Sequence, residues 1–361
     1  MNYYFHVPFC ASKCGYCAFY SLPQAGGELV DAYLERLERT FIPCGSAETV
    51  YIGGGTPTFL SEKQLERFFA FLRSRLEISP ETEISCEANP ESLSSEKVAL
   101  LRENITRLSM GVQSFDPAVR MNIGRRCSDK ALENAIEWVQ KAKFPHWNVD
   151  LIFALPGQTD EGFFEGAERA VEAGVDHISC YALTAEENAA LKLPEDDDHA
   201  AELMPRIAEF LAEKGLLRYE ISNFARKGAE CRHNVNVWRG GLLTGTGPAA
   251  CGFDGVDRWS SSPTLERWLK GEAPERDVIT PEERLNEIFA VNLRTVEGWT
   301  PQLWAAVPNR DDWEKRIKII EDIASETDKN WFIISQERIA LTGDGMMFWN
   351  SVAGEIFDYG T

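Results

Sequence analysis

Short apolar runs alternate with amphipathic stretches from Tyr3 to about Tyr181, and this alternation constrains the fold more than any other feature of the chain. In the amphipathic stretches apolar residues recur at helical spacing, as Leu65, Phe68 and Leu72 do. The pattern predicts repeated βα units around a parallel sheet, which is either open or curved into a partial barrel. The predicted strands are Tyr3 to Val7, Thr49 to Ile52, Glu83 to Cys86, Arg107 to Met110, Trp147 to Phe153 and His177 to Tyr181.

After about Tyr181 the regular alternation of apolar runs and amphipathic stretches ends. An acidic stretch from Pro194 to Asp198 opens a predicted helix, and the glycine-rich segment from Arg218 to Trp259 has no steady period, so we expect it to wrap the barrel mouth. Helices, a hairpin from Trp331 to Thr342 and a last helix from Gly345 to Phe357 predict a small winged-helix-like α+β domain that serves as a docking or lid module. The predicted domains are residues 1–190, the barrel; 191–275, its extension; and 276–361, the winged-helix-like domain.

Composition excludes several classes of protein. The chain has 361 residues, is 44% hydrophobic and has no long apolar run, so we expect no membrane span. Its net charge of −20 would repel the phosphates of nucleic acids and anionic lipid surfaces. The nine cysteines form no regular disulfide framework, and no signal peptide precedes the first predicted strand, so we expect a cytoplasmic protein.

Three cysteines follow the first predicted strand at offsets of four and three residues: Cys10, Cys14 and Cys17. Thiolates are soft ligands suited to iron–sulfur clusters or zinc. Because zinc sites and cubane clusters normally take four protein ligands, a trio leaves one coordination position for a substrate or cofactor. The alternative is a zinc loop completed by His6 or by a distant cysteine.

The stretch from Tyr4 to Cys17 resembles the cluster loop of the radical S-adenosylmethionine (radical SAM) proteins. Its residues are similar to those of the oxygen-independent coproporphyrinogen III oxidase family and its haem-chaperone relatives. The resemblance implies an open (β/α)6 barrel in which the three cysteines bind three irons of a [4Fe–4S] cluster and SAM chelates the fourth. The oxidases carry a further cysteine two places after the third, where this chain has Phe19, as in the chaperone branch.

Further elements at the predicted strand ends resemble the SAM-binding motifs of the same family. Alone, each is as well explained by a tight turn or a solvated charge. Together they imply SAM binding, since carboxylates can bind ammonium, sulfonium and hydroxyl groups and an arginine fork can bind a carboxylate. The residues assigned in this way are Tyr4 and Tyr16; Gly54, Gly55 and Thr56 of the GGGTPT run; Glu87; Gln113; Arg125; and Asp150.

A last segment, Cys231 to Trp238, resembles the HNxxYW haem-binding motif of the chaperone branch, which implies that His233 binds haem. Val237 stands in place of the motif's tyrosine, and Cys251 stands where a downstream family element has histidine. Cys231 and Cys251 are therefore alternative thiolate ligands. From spacing alone, a capped turn around a buried Trp238 is the competing interpretation.

We therefore expect a radical SAM protein that binds haem, or a related tetrapyrrole, and delivers it to acceptor apoproteins. The alternatives are a coproporphyrinogen III oxidase, which would oxidatively decarboxylate propionate side chains, and another radical SAM reaction on a tetrapyrrole. A structural zinc protein would leave the SAM-like elements unexplained.

Overall fold

The computed structural model describes residues 1–183 and 198–359. Its strands are β1 Asn2–Val7, β2 Phe9–Cys10, β3 Leu22–Pro23, β4 Ala47–Gly54, β5 Ile78–Ala88, β6 Arg107–Gln113, β7 His146–Phe153, β8 His177–Ala182, β9 Leu217–Arg218, β10 Asn223–Ala225, β11 Leu243–Thr246, β12 Cys251–Phe253, β13 Asp257–Ser260, β14 Glu275–Val278, β15 Phe332–Ile334 and β16 Ile339–Leu341. Its helices are α1 Gly27–Thr40, α2 Glu62–Arg75, α3 Ser95–Asn104, α4 Pro117–Asn122, α5 Asp129–Ala142, α6 Asp160–Glu172, α7 Asp198–Glu213, α8 Arg232–Trp238, α9 Leu265–Leu269, α10 Pro281–Asn292, α11 Pro301–Ala305, α12 Trp313–Glu326, α13 Gly343–Met347 and α14 Trp349–Asp358.

The chain divides into two compact units, each made of two chain segments. The first unit contains Met1–Leu203 and Leu242–Asp277, and the second contains Met204–Gly241 and Val278–Thr361. The three predicted domains, with boundaries near 190 and 275, stay a prediction. Residues 184–197, which include the acidic stretch before Asp198 and the first of those boundaries, lie outside the described residues.

The first unit is built on an open sheet. Its six central strands, β1 and β4 to β8, are parallel neighbours in chain order, and each contains one of the six predicted strands. The helices follow as the spacing predicts. In α2, for example, Leu65, Phe68 and Leu72 are buried, and Ser61 and Gln64 close the helix start with a capping box. The predicted partial (β/α)6 barrel is confirmed.

The two faces of this sheet differ in polarity. On β1, Tyr3, Phe5 and Val7 are fully buried, and Phe5 packs its ring against aromatic residues of α2. Successive strand residues point to opposite faces, so Tyr4 and His6 lie on the other one. Side chains at paired positions of a parallel ladder share a face, and this second face is polar across six strands: Tyr4 beside Tyr51, Tyr51 beside Ser85, Glu87 beside Ser109, Ser109 beside Asn148, and Asp150 beside Ser179.

The segment from Arg218 to Trp259 has no steady period in the sequence, yet it contains several short strands. Strand β11 pairs in parallel with β1, from Asn2 beside Leu243 to Phe5 beside Thr246, and β12 and β13 continue the sheet in antiparallel order. These strands have only three or four residues, and glycines interrupt their pattern, so no period of two can be seen in the sequence.

In the second unit, helices α10 to α14 and the β15–β16 hairpin surround a core that includes Phe289, Trp299 and Trp304. The order of helices, hairpin and helix agrees with the predicted α+β domain. The last helix differs from its prediction, because the backbone leaves the helical conformation at Phe348 and separates α13 from α14. Among the described residues, no helix is long and apolar enough to cross a membrane.

Candidate functional site

The three cysteines lie on a closed loop at the carboxyl end of β1. Cys10 ends β2, and β2 pairs with β3, so the loop returns to its own start. Two backbone hydrogen bonds close the loop. The Leu22 amide donates to the Pro8 oxygen at 2.6 Å, and the Gln24 amide donates to the Cys10 oxygen at 2.9 Å. The loop is also tied to the end of α4, because the Gly15 amide donates to the Ile123 oxygen at 3.0 Å.

The thiols lie close enough to influence one another electrostatically. Burial raises the pKa of Cys17, and the thiols of Cys14 and Cys10 raise it further. The Cys10 sulfur lies 3.4 Å from the Thr56 hydroxyl, and the Cys14 sulfur lies 3.9 Å from Nη1 of Arg125. Both neighbours can donate hydrogen bonds to a thiolate. In a cubane cluster each thiolate binds a different iron, so the loop suits a cluster held by three cysteines.

His6 does not support the zinc alternative. Its Nε2 lies 2.9 Å from the Tyr20 carbonyl oxygen, which can only accept, so Nε2 carries the proton. Nδ1 therefore accepts from the Tyr4 hydroxyl at 3.0 Å, and both ring nitrogens are occupied. Within residues 1–183 and 198–359, no three His, Cys, Asp or Glu side chains are arranged to hold a single metal ion.

The glycine run holds the cluster loop against the sheet. The amides of Gly55 and Thr56 donate to the backbone oxygens of Val7 and Phe9, at 2.9 and 2.7 Å. A Cβ on Gly55 would lie 2.7 Å from the Phe9 oxygen, so only glycine permits this approach. Gly54 has φ of +106°, and its amide donates to Glu87 at 3.0 Å. These amides are thus bonded within the protein, and the glycines are needed for close packing.

Glu87 lies on the polar face of β5 between two donors. Oε1 accepts from the Tyr51 hydroxyl at 2.9 Å, and Oε2 accepts from the Gly54 amide. Burial, assisted by the charge of Asp150, raises the pKa of Glu87 to about 7 although these two hydrogen bonds lower it. Burial of Tyr4, together with the charge of Glu87, likewise raises the pKa of Tyr4. Glu87 is therefore a carboxyl group whose charge changes near neutral pH.

Asp150 is held by a buried polar network. Asn148 donates to its Oδ1 at 2.7 Å, and the Ser109 hydroxyl lies 3.2 Å from Oδ2. The amide of Asn148 is itself fixed, since its Oδ1 lies 2.7 Å from Nδ1 of His177. Burial raises the pKa of Asp150, while Ser179, Asn148 and Ser109 stabilise its ionised form.

Arg125 connects the cluster loop to the sheet. Its Nη2 donates to Asn89 Oδ1 at 2.8 Å and to the backbone oxygen of Gly111, and it lies 3.6 Å from Glu91. Burial opposes the charge of Arg125, but Glu91, Tyr16 and Cys14 together raise its pKa. Among the described residues, its buried Nε has no hydrogen-bond partner, and such a donor suits an anionic ligand group.

Gln113 and Tyr16 border the same region. Gln113 ends β6 with φ of +70°, directly after a register shift between β6 and β7. A Cβ on Gly111 would lie 2.9 Å from Nε2 of Gln113, so the side chain folds back over the strand end. Tyr16 packs against a small apolar cluster that includes Ile123 and Leu155, and burial raises its pKa.

Sequence reasoning missed Asn89. Its Nδ2 donates to the Thr56 hydroxyl at 2.7 Å and its Oδ1 accepts from Arg125, so it joins two residues that were predicted separately. Asn89 lies only two places after Glu87, and Glu91, the partner of Arg125, lies two places further. The available signal was the polar run at the end of a buried strand.

His233 lies in the second unit, in the first turn of α8. It is 6% exposed, and burial lowers its pKa to about 3, so its imidazole is neutral at physiological pH. Trp238, at the other end of α8, is half-buried. The segment is therefore a short helix with a buried, neutral histidine. The competing interpretation, a capped turn around a buried Trp238, is not what the structure shows.

The two alternative thiolate ligands have different surroundings. Cys231 is buried at the start of α8, where its amide lies 3.3 Å from the Tyr219 hydroxyl. Cys251 is exposed on β12 in the first unit, and its sulfur lies 3.4 Å from the Ser260 hydroxyl.

An open βα barrel with a three-cysteine loop at its mouth defines a radical SAM protein, and residues 4–170 match the model of the radical SAM superfamily. The chain is 31% identical to the heme chaperone HemW of Bacillus subtilis over 97% of both proteins. It is 39% identical to the heme chaperone HemW of Mycobacterium tuberculosis H37Rv over 71% of this chain and 70% of that protein. The chain belongs to the HemW heme chaperone family of the radical SAM superfamily. Membership of the superfamily implies a [4Fe–4S] cluster and SAM.

Among solved structures, the chain resembles the radical SAM coproporphyrinogen III oxidase HemN of Escherichia coli. The TM-score is 0.83 over 99% of this chain and 90% of that one, with 21% sequence identity. At this identity the similarity establishes a shared fold only.

Proposed function

We propose that this chain is a haem chaperone, which binds haem and delivers it to acceptor proteins. The observation that carries the proposal is the match to the heme chaperone of Bacillus subtilis, because it extends over 97% of both chains and so includes the segment around His233. A cytoplasmic location belongs to the same proposal, since nine cysteines without a disulfide framework suit a reducing compartment.

Cys10, Cys14 and Cys17 hold the cluster in this proposal. The support is their closed loop, their mutual electrostatic influence and the two donors, Thr56 and Arg125, that face the sulfurs. When bound, the cluster supplies an open iron position for SAM and a source of single electrons. The protein contributes the positions of the three thiolates and the hydrogen bonds that stabilise their charge.

SAM binds on the polar face beside this loop. Glu87 and Asp150 are carboxylates for its ammonium and hydroxyl groups, and Arg125 offers a donor for its carboxylate. Their fixed hydrogen-bond partners keep these groups in place before the ligand arrives. The full set of proposed residues is Tyr4, Tyr16, Gly54, Gly55, Thr56, Glu87, Gln113, Arg125 and Asp150, with the glycines acting by close packing.

Haem binds at α8, with His233 as an iron ligand. A neutral imidazole can donate a lone pair to iron, and burial keeps His233 in that form. Trp238 supplies an aromatic surface for the macrocycle. Cys231 and Cys251 are the alternative ligands, and Cys231 lies directly beside α8.

The competing activity, oxidative decarboxylation of coproporphyrinogen III, has less support. The likeness to the oxidase of Escherichia coli is one of fold at 21% identity. Phe19 also occupies the place where the oxidases carry a further cysteine, and its side chain is exposed.

The deciding experiment is an anaerobic haem titration of the cluster-reconstituted protein, followed by absorbance. We expect saturable binding that weakens and changes spectrum in His233→Ala. His199→Ala is the matched control, because His199 is an exposed histidine paired with Asp160, and it should bind haem as the unmodified protein does. Absence of binding, or binding unaffected by His233→Ala, would contradict the proposal. Formation of protoporphyrinogen on turnover with SAM and coproporphyrinogen would then favour the oxidase.

A further inference from the structure

A buried ion pair lies next to the proposed haem segment. Glu220 is 0% exposed, and Arg294, which follows α10, bonds its Oε2 through Nε at 2.9 Å and through Nη2 at 2.8 Å. The other carboxylate oxygen accepts from the Ser222 amide at 2.7 Å and from the Asn223 side chain at 2.6 Å. Four donors therefore satisfy this carboxylate, and it fixes the guanidinium in one orientation.

The guanidinium of Arg294 lies against the rings of two tryptophans. Its central carbon is 4.5 Å from the ring of Trp238 and 5.4 Å from the ring of Trp349. Trp349 is anchored in turn, because its Nε1 donates to the backbone oxygen of Ala290 at 2.9 Å. A planar cation stacks well on an indole face. The stack thus connects the first turn of α14 to the last residue of α8.

The backbone strengthens the same connection. The Val296 amide donates to the Tyr219 oxygen at 2.9 Å, and Glu220 forms a β-bridge with Thr295. At the end of α8, a Cβ on Gly240 would lie 2.8 Å from Ile288 of α10, so the chain there passes close to α10. The segment before α8 is therefore bonded to Thr295 and Val296, which follow α10, and the segment after α8 passes close to α10 itself.

The geometry points to Arg294 as a positioning residue that sets the orientation of the Trp238 indole for haem binding, with Glu220 and Trp349 holding Arg294 itself. This inference rests on the proposed haem-binding function of α8. Arg294 acts through Trp238, so its loss should alter how haem is held while leaving His233 in place. A lysine at 294 would keep the charge but lose the planar stack and the second donor to Glu220.

The test compares Arg294→Lys with Arg316→Lys. Arg316 is a matched control, since it is a fully buried arginine of the same unit, bonded to Asp311 through two donors and stacked on Trp304. Both changes should lower thermal stability. We expect only Arg294→Lys to weaken haem binding, by about fivefold, and to shift the haem absorbance band. Equal haem affinity in the two variants would overturn the inference.

A second readout does not depend on haem. Acrylamide quenching of Trp238 fluorescence, obtained as the difference from a Trp238→Phe background, should increase in Arg294→Lys and in Trp349→Leu. Unchanged quenching would overturn the positioning role whether or not haem binds. Increased quenching in a protein that binds no haem would instead contradict the proposed function and confine the role of Arg294 to orienting the indole. Trp349→Leu keeps the experiment decisive if Arg294→Lys does not fold.

Discussion

In the first unit, residues proposed to bind SAM are held by hydrogen bonds across the polar face of a sheet. Asp150, for example, accepts hydrogen bonds from both Asn148 and Ser109. In the second unit, the contacts at the end of α8 include aromatic stacking on Trp238 and a buried ion pair, Arg294 with Glu220. The first arrangement is made of polar contacts between strands, whereas the second combines a stacked guanidinium with a buried ion pair.

This difference has an electrostatic consequence. Burial among other carboxyl groups raises the pKa of Glu87 to about 7, but burial of a single imidazole lowers the pKa of His233 to about 3. The polar face should therefore respond to pH near neutrality, while the imidazole at α8 should stay neutral throughout the same range. The proposed SAM binding should therefore change with pH near neutrality, whereas the proposed haem binding should not.

The largest effect is expected from Cys14→Ala. Loss of one of three thiolates should remove the visible absorbance and the iron of the cluster, while circular dichroism stays unchanged because Cys14 is only half-buried. Cys44→Ala is the matched control, since Cys44 is an exposed cysteine outside the loop, and it should retain the cluster. Unchanged iron content in Cys14→Ala would contradict the assignment.

Gly55→Ala tests whether close packing is what the glycine run provides. The added methyl group would lie 2.7 Å from the Phe9 oxygen, so we expect a loss of about 1–3 kcal/mol in the free energy of unfolding and poorer cluster loading. Urea denaturation and iron analysis measure the two effects. Gly27→Ala, at the open start of α1, has nothing within 4 Å and should cost nothing. Similar behaviour of both variants would argue that the run has no packing role.

Glu87 should make SAM binding depend on pH. The ionised carboxylate is the form that attracts a cationic ligand, and with a pKa of about 7 it is lost as the pH falls. Affinity measured by calorimetry should thus be roughly tenfold lower at pH 6 than at pH 8 and should level off above neutrality. In Glu87→Gln the affinity should be low at both values. A pH dependence that persists in this variant would assign the titration to another group, such as Asp150.

How far the sequence predicts this molecule depends on the range of the contacts involved. The strands around Val50 and Val149 were predictable because a buried parallel strand is a short apolar run. The association of residues 204–241 with the C-terminal helices was not predictable, since it rests on contacts such as Glu220 with Arg294, 74 positions apart. No local pattern encodes a contact at that separation.

The same distinction applies within the candidate site. The cysteine spacing and the glycine run are local features, and the sequence is enough to find them. Asn89 acts by joining Thr56 to Arg125, which come from different βα units, so its role depends on the assembled sheet. Neither its residue type nor its spacing distinguishes it from an ordinary turn asparagine.

The smallest effect is expected from restoring the tyrosine of the haem motif. Val237 is half-buried on α8, one residue before Trp238, so a larger ring can extend from this position without displacing the core. Val237→Tyr adds aromatic surface, and we expect haem to bind about threefold more tightly in the anaerobic titration. Val235→Tyr is the matched control, because Val235 is half-buried on the same helix but two positions away, on a different face. An equal gain in both variants would mean that added aromatic surface alone strengthens binding. A gain only at 237 would instead place the macrocycle on the face of α8 that carries this position.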